Sequence, residues 1–257
     1  MLIAQITDPH VTADGRGAAG IDGGERLARG LARVAAMSPR PAAIVLSGDL
    51  VERGERAEYQ RLATIVRDCP VPILPMTGNH DDRDLLRIAF PAAAPAEDGR
   101  WRASRVVNGV RLVLLDSLEP GRPSGRLGGA QLAWLDRELG AASGGPTIVF
   151  VHHPPPSTGL VHIDRSALID ADDLAAVIGR HAGVIRVACG HLHIALAMNW
   201  AGTTLTACPS VAHRFAVDLA DDGRIVARPS PGAFQIHRWR GGVLHTYTVS
   251  LDEEESR

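Results

Sequence analysis

Lysine is absent from this chain of 257 residues, and arginine alone carries the basic charge. The formal net charge is −2, so no global basic field exists to hold nucleic acid or an anionic membrane surface. No basic stretch interleaved with aromatic residues occurs either, which argues against a groove for a nucleic-acid polymer. Cysteine is scarce: Cys69, Cys189 and Cys208 form an odd, widely spaced set without a C-x-x-C. That pattern argues against a disulfide framework or a thiolate zinc site and fits a reducing cytoplasm. No apolar run approaches the roughly 20 residues that span a bilayer. Met1 leads into a short apolar strand without the basic region, long apolar core and cleavage site of a signal peptide. The expectation is a soluble, cytoplasmic protein that does not engage a membrane. A G-x-S-x-G elbow and an obvious cysteine nucleophile are also missing, so the chemistry needs no covalent intermediate on the chain.

What is present is an ordinary globular composition, 45% hydrophobic and 22% charged, in a chain long enough for one large α/β domain. Short apolar runs alternate with amphipathic stretches. Strands are expected at Leu2–Thr7, Ala42–Ser47, Ile73–Met76, Arg111–Leu115, Thr147–Val151 and Val184–Cys189. Helices are expected at Gly24–Met37, Arg56–Cys69, Leu85–Phe90, Ala130–Leu139 and Asp172–His181. The pattern then turns to strands alone, at Ile194–Trp200, Thr203–Ala207, Phe234–Arg240 and Val243–Val249, the last two joined by a Gly241-Gly242 hairpin. Such an order implies a layered α/β sandwich, one or two mixed sheets covered by helices. No repeat or linker divides the chain, so residues 1–257 read as a single domain. Pro91–Arg100 and Pro209–Gly232 read as irregular, and the acidic Asp252–Glu255 as a solvated end.

Five of these strands run directly into residues of metal-ligand type. They are Thr7-Asp8-Pro9-His10, Ser47-Gly48-Asp49, Gly78-Asn79-His80-Asp81, His152-His153-Pro154 and Gly190-His191-Leu192-His193. Each cluster alone has a plain reading as a turn, a helix cap or a satisfied core histidine. Together they occupy the carboxyl ends of strands, where open α/β sheets gather their functional groups. Carboxylate, imidazole and amide oxygen without thiolate suit Mn, Fe, Zn or Co, and seven donors are too many for one ion. With one carboxylate shared, they fill two sites about 3.5–4 Å apart.

With these motifs in order, D-x-H, G-D, G-N-H-D, H and G-H-x-H over Asp8 to His193, the chain resembles the calcineurin-like metallophosphoesterases. Within them it resembles the bacterial class III cyclic-nucleotide phosphodiesterases and the related glycerophosphodiesterases. The similarity to that subgroup rests on Gly48-Asp49-Leu50-Val51 with Gly54 and Tyr59, on Gly78-Asn79-His80-Asp81-Asp82, and on His152-His153-Pro154-Pro155. The later Pro209-Ser210-Val211-Ala212-His213 and Phe234-Gln235-Ile236-His237-Arg238 add to it.

The resemblance implies a four-layer α/β/β/α sandwich with two mixed β-sheets and two divalent metal ions per chain. It implies Asp8, His10 and His193 on one ion, Asn79, His152 and His191 on the other, and Asp49 bridging. His80 is implied as the catalytic residue at the leaving oxygen, with Asn79, His80 and His213 facing substrate. His153 reads as a supporting residue, and Asp81 as a candidate to orient His80. His162, His181, His237 and His245 read as structural or exposed. The implied activity is hydrolysis of small phosphodiesters by in-line attack of metal-bound hydroxide. A broad phosphomonoesterase and a non-catalytic metal-binding scaffold are the rival readings. A homodimer or higher assembly is implied, with residues 209–232 as cap or contact segment.

Overall fold

The computed structural model describes residues 1–93, 95–220 and 224–252. In chain order the elements begin with β1 (Leu2–Ile6), α1 (Gly23–Ala36), β2 (Ala43–Ser47), α2 (Arg56–Val66), β3 (Ile73–Met76) and α3 (Leu86–Ala89). They continue with β4 (Ala103–Val107), β5 (Val110–Leu115), α4 (Gly129–Ala141), β6 (Thr147–Val151), α5 (Val161–Asp164), α6 (Ala171–Ile178) and β7 (Val184–Cys189). The chain then runs through β8 (Leu196–Trp200), β9 (Thr203–Ala207), β10 (Arg214–Phe215), β11 (Ala227–Arg228), β12 (Ala233–Arg240) and β13 (Val243–Ser250).

Two sheets dominate. One has the order β13-β12-β1-β2-β3, the other β4-β5-β6-β7-β9-β8. Both are mixed: β1–β2–β3 and β5–β6–β7–β9 run parallel, while β12, β13, β4 and β8 pair antiparallel. The central strands AIVLS and TIVFV are buried at every position, as strands covered on both faces must be. Alternation still sorts their side chains. Ile3, Val45, Leu112 and Phe150 meet in the layer between the sheets. Ile6, Leu46 and Ile44 pack under α1 and α2, and Val113, Val149 and Val151 under α4 and α6. The four-layer α/β/β/α arrangement expected from the sequence follows.

Helix starts are set by local chemistry. Asp22 caps α1 by accepting from the N–H groups of Gly24 and Glu25 at 2.9 and 3.2 Å. It also pairs with Arg61 of α2 at 2.6 Å, tying the two helices. Glu55 and Glu58 form a reciprocal capping box at the start of α2.

Four of these elements lie outside the sequence expectations. β4 pairs with β5 through Asn108-Gly109, both at positive φ, and an Asn-Gly between apolar runs is the two-residue hairpin signal. The short α5 lacks enough residues for a readable period. Within the stretch read as irregular, Arg214–Phe215 pairs with Ala227–Arg228. The expected Gly241-Gly242 hairpin is present, closing Arg240 onto Val243. No helix among the described residues is long and apolar enough to cross a membrane. The tail residues 253–257, which include most of the acidic end, lie outside the described residues.

Candidate metal centre

The parallel strands of both sheets deliver their carboxyl ends to one place. β1 supplies Asp8 and His10, β2 supplies Asp49, and β3 supplies Asn79 and His80. From the other sheet, β6 supplies His152 and His153 and β7 supplies His191 and His193. Donor atoms of Asp8, His10 and His193 lie within 4.8 Å of one another, as do those of Asp8, Asp49 and His152. The same spacing holds for His10, Asp49 and His80, and for His152, His153 and His191. Asp8, Asp49, His10, His152, His153, His191 and His193 are all at most 9% exposed.

Five of these residues hold backbone angles that L-residues avoid. Asp8, His10, Asp49, His191 and His193 have φ of 51°, 48°, 49°, 66° and 54°. Each left-handed residue costs about 1–3 kcal/mol and persists where the surroundings over-determine it. The sharp turns aim consecutive side chains back over the strand ends. Gly78 contributes by having no side chain. A Cβ there would fall on Asp49 Oδ1 and close to His152 Nε2, so only glycine lets β3 approach the carboxylate.

Hydrogen bonds fix which ring nitrogen faces inward. His152 Nδ1–H donates to the Ser47 carbonyl at 2.8 Å, and His193 Nδ1–H to the His213 carbonyl at 3.1 Å. Both rings therefore present Nε2 to the centre. His152 Nε2 sits 3.3 Å from Asp49 Oδ2 and 3.9 Å from Asp8 Oδ1, buried and without a hydrogen bond. His10 Nε2 faces His193 Nε2 at 3.1 Å. His191 takes the opposite orientation, with Nε2 on Ser166 Oγ at 2.9 Å and a buried Nδ1 that has no partner. Asn79 Oδ1 is likewise buried and unpartnered among the described residues.

Electrostatics point the same way. Burial would raise the Asp8 carboxyl, but the charge and hydrogen bond of His193 and the charge of His152 bring it down to about 2. Burial opposes ionisation of Asp49 too, and His152, His80 and His10 carry it well below the usual carboxylate range. His152, which burial would hold neutral, is raised to about 9 by Asp49 and Asp8. His10 is raised similarly, against burial, by Glu52, Asp49 and Asp8. Two carboxylates held ionised against burial thus face a cluster of imidazoles in a buried cleft. Buried acceptors with no donor among the described residues, beside carboxylates held ionised, are what a cation site requires. The residues fit a metal pair.

A family model for the calcineurin-like phosphoesterases matches residues 1–195. The chain belongs to that family. Among its curated relatives is a probable cyclic nucleotide phosphodiesterase of a Synechococcus strain, 36% identical over 84% of this chain and 82% of the relative. The 3′,5′-cyclic adenosine monophosphate phosphodiesterase CpdA of Escherichia coli is 32% identical over 83% of this chain and 77% of its own. A probable glycerophosphodiester phosphodiesterase, GpdQ, of Arcobacter nitrofigilis is 28% identical over 98% and 95%. These are the subgroup that the motifs resemble. A dimetal phosphatase from Danio rerio shares the fold, with a TM-score of 0.70 at 15% identity over 98% of this chain and 99% of that one.

Around the donors of this phosphoesterase, three supporting assignments differ from or add to the sequence reading. Asp81 does not orient His80. Its carboxylate accepts from Gly78 N at 2.8 Å, Leu50 N at 3.2 Å and Tyr59 Oη at 3.2 Å, because the backbone donors of the β2 and β3 loops surround it. Burial and the charge of Asp49 raise it to about 6. His80 Nδ1–H instead donates to the Glu52 carbonyl at 2.6 Å, and His80 N–H donates to Asp49 Oδ1 at 2.9 Å. His153 accepts from Ser117 Oγ at 2.7 Å and donates to the Pro123 carbonyl at 3.2 Å. With both ring nitrogens engaged, and the ring held neutral by burial and by the charges of His191 and His152, it supports its neighbours. His213 packs its ring 4.4 Å from that of His193 and 5.5 Å from that of His10, and burial with those two charges brings it down to about 3.

Glu52 is the functional residue that the sequence reading missed. Its Oε2 lies 2.8 Å from His10 Nδ1, so the carboxylate fixes the ring that turns Nε2 inward. Three residues after Asp49 on the same loop, it carries no strand-end signal of its own. Glu52→Gln is expected to lower metal affinity about 10- to 100-fold while leaving the fold intact. Metal retained against a chelator series, compared with wild type, checks this; equal retention would remove Glu52 from the centre.

Proposed function

We propose that this phosphoesterase hydrolyses small phosphodiesters, cyclic nucleotides or glycerophosphodiesters among them, at a pair of divalent metal ions. The observation that carries the reading is the convergence of unpartnered His152 Nε2, His191 Nδ1 and Asn79 Oδ1 with two ionised, buried carboxylates. The names of the relatives support the diester class. Asp8, His10 and His193 would hold one ion, Asn79, His152 and His191 the other, and Asp49 both. Mn, Fe, Zn and Co all suit this donor set. Bound there, such a pair supplies Lewis acidity toward the phosphoryl oxygens and a water activated near neutral pH.

The chain's own residues do the rest. The Glu52 carbonyl keeps the His80 ring aimed, so its doubly protonated form can deliver the Nε2 proton to the leaving alkoxide. His213 and Asn79 face the substrate. A cavity of about 570 Å³ opens beside Asn79, room enough for the second ester group of a small diester. Its wall arginines are already committed: Arg83 forks onto Asp116 at 2.7 Å and Arg100 donates to the Asp116 carbonyl at 2.9 Å. The protein stripped by chelator and reloaded with Mn²⁺ is expected to turn over a nitrophenyl phosphodiester in preference to the matching monoester. Preference for the monoester would overturn the diester assignment.

Donors from both sheets support a chain that works as one unit over residues 1–257. The three cysteines, all free, support residence in a reducing cytoplasm, and recovery of the protein from another cell fraction would reject it. The proposal extends to assembly of two or more copies through the arm around β10 and β11, where Val217, Leu219 and Ile225 are 58%, 75% and 51% exposed. Light scattering of the purified protein is expected to read a multiple of the chain mass; a monomer mass would reject the assembly.

A further inference from the structure

The layer between the two sheets is not apolar throughout. Across β1, β2, β5 and β6 it is filled by Ile3, Val45, Leu112 and Phe150. Toward the β13 and β8 edges the same face carries Gln235, His237, Thr246 and Thr248 from one sheet and Arg186 and Thr206 from the other. Five of them, Arg186, Thr206, Gln235, Thr246 and Thr248, line a cavity of about 380 Å³. None of the proposed metal donors lines it.

Arg186 is 9% exposed and makes no hydrogen bond or ion pair with any described residue. Its position follows from a bulge: Thr147 pairs with Val184 and Ile148 with Arg186, so Ile185 is skipped and the arginine turns into the inter-sheet layer. No carboxylate lines the cavity among the described residues. His237 offers no counter-charge either. It donates to Gln5 Oε1 at 3.1 Å and meets Thr246 Oγ1 at 3.0 Å, and burial with the charge of Arg186 brings it down to about 3. Desolvation also lowers Arg186 itself. Two further groups in the wall are buried without partners, Thr206 Oγ1 and Gln235 Oε1; the Gln235 amide N–H is already given to the Ala207 carbonyl at 3.0 Å.

The geometry points to a small-oxyanion site at Arg186, distinct from the metal centre, whose preferred occupant is hydrogenphosphate. A guanidinium whose Nε is buried without a partner among the described residues is costly, and its planar fork matches a tetrahedral oxyanion. Thr206 supplies a hydroxyl donor. The unpartnered Gln235 Oε1 asks for a ligand that also donates, which hydrogenphosphate does with its own O–H and sulfate cannot. Phosphate therefore binds in preference to sulfate.

The test uses the metal-loaded protein. In crystals grown with arsenate, which keeps the proton of hydrogenphosphate and scatters anomalously, a peak is expected against Arg186 in addition to any at the metal pair. By calorimetry the wild type is expected to bind one more phosphate equivalent per chain than Arg186→Gln, and to bind sulfate at that extra site at least tenfold more weakly. Anomalous density at the metal pair alone, or identical phosphate stoichiometry in wild type and variant, would overturn the site. Equal affinity for sulfate would overturn the role of Gln235. If Arg186→Gln fails to fold, the wild-type density decides the question, and Thr206→Val serves for the titration.

Discussion

Replacing Asp49 by alanine is expected to empty the centre and stop turnover together. Asp49 touches both halves of the site. Its Oδ2 lies 3.3 Å from His152 Nε2 and 3.8 Å from His10 Nε2, while its Oδ1 accepts the His80 N–H. Without that carboxylate, the set Asp8, His10 and His193 would no longer share a bridging group with the set Asn79, His152 and His191. Lewis-acid stabilisation of a phosphoryl transition state is worth several kcal/mol, and each 1.36 kcal/mol is a factor of ten. The expected loss in kcat is therefore at least about 10³-fold. Metal analysis is expected to fall below two ions per chain, with the far-ultraviolet circular dichroism unchanged. Full activity in Asp49→Ala would end the bridging assignment, and two ions retained with activity lost would move Asp49 from metal holding to another role.

The reason so much of this site was legible in the sequence is that each donor sits at the end of a strand with its own signal. A run such as Leu2–Ile6 or Thr147–Val151 announces itself by apolar residues alone, and the polar residue that follows marks where the strand stops. Five such junctions place Asp8, Asp49, Asn79, His152 and His191 without knowledge of which strands pair. The sheet order was not legible, because β1 pairs with β12, more than 220 residues later, and nothing local encodes a partner so far away. The β4 hairpin carries a local signal of its own: Val107-Asn108-Gly109-Val110 is a turn sequence with apolar flanks.

Other features act only through three-dimensional neighbours. Glu52 works by where its side chain lands, and the left-handed φ of His10 or His193 is imposed by the strand ends around it. Asp81 illustrates the same limit in reverse. Adjacency to His80 suggested that it orients the ring, yet four nearby donor groups, from Gly78, Leu50, Val51 and Tyr59, claim its carboxylate. Sequence neighbours on a tight loop often point apart, so proximity along the chain was a poor guide to contact there.

His80→Ala is the variant that separates chemistry from metal holding. The ring is aimed by the Glu52 carbonyl, 2.6 Å from Nδ1, and stacks edge-on against His10 with centroids 4.7 Å apart. Its Nε2 has no hydrogen-bond partner among the described residues, and the proposed metal donors remain complete without it. Removing the ring should therefore spare the ions and remove a proton donor. General acid catalysis contributes about 10²–10⁴-fold, and that is the loss expected in kcat for alkyl esters, whose alkoxides leave poorly. For nitrophenyl esters the leaving oxygen needs little help, so the loss should shrink toward tenfold or less. A leaving-group series for wild type and His80→Ala, with metal content measured on the same samples, reads both effects at once. A steeper dependence of log kcat on leaving-group pKa in the variant, at two ions per chain, is the expected result. Parallel slopes would mean that His80 stabilises charge on the phosphoryl oxygens without protonating the leaving group. A fall in metal content that accounts for all of the lost activity would make the ring a ligand.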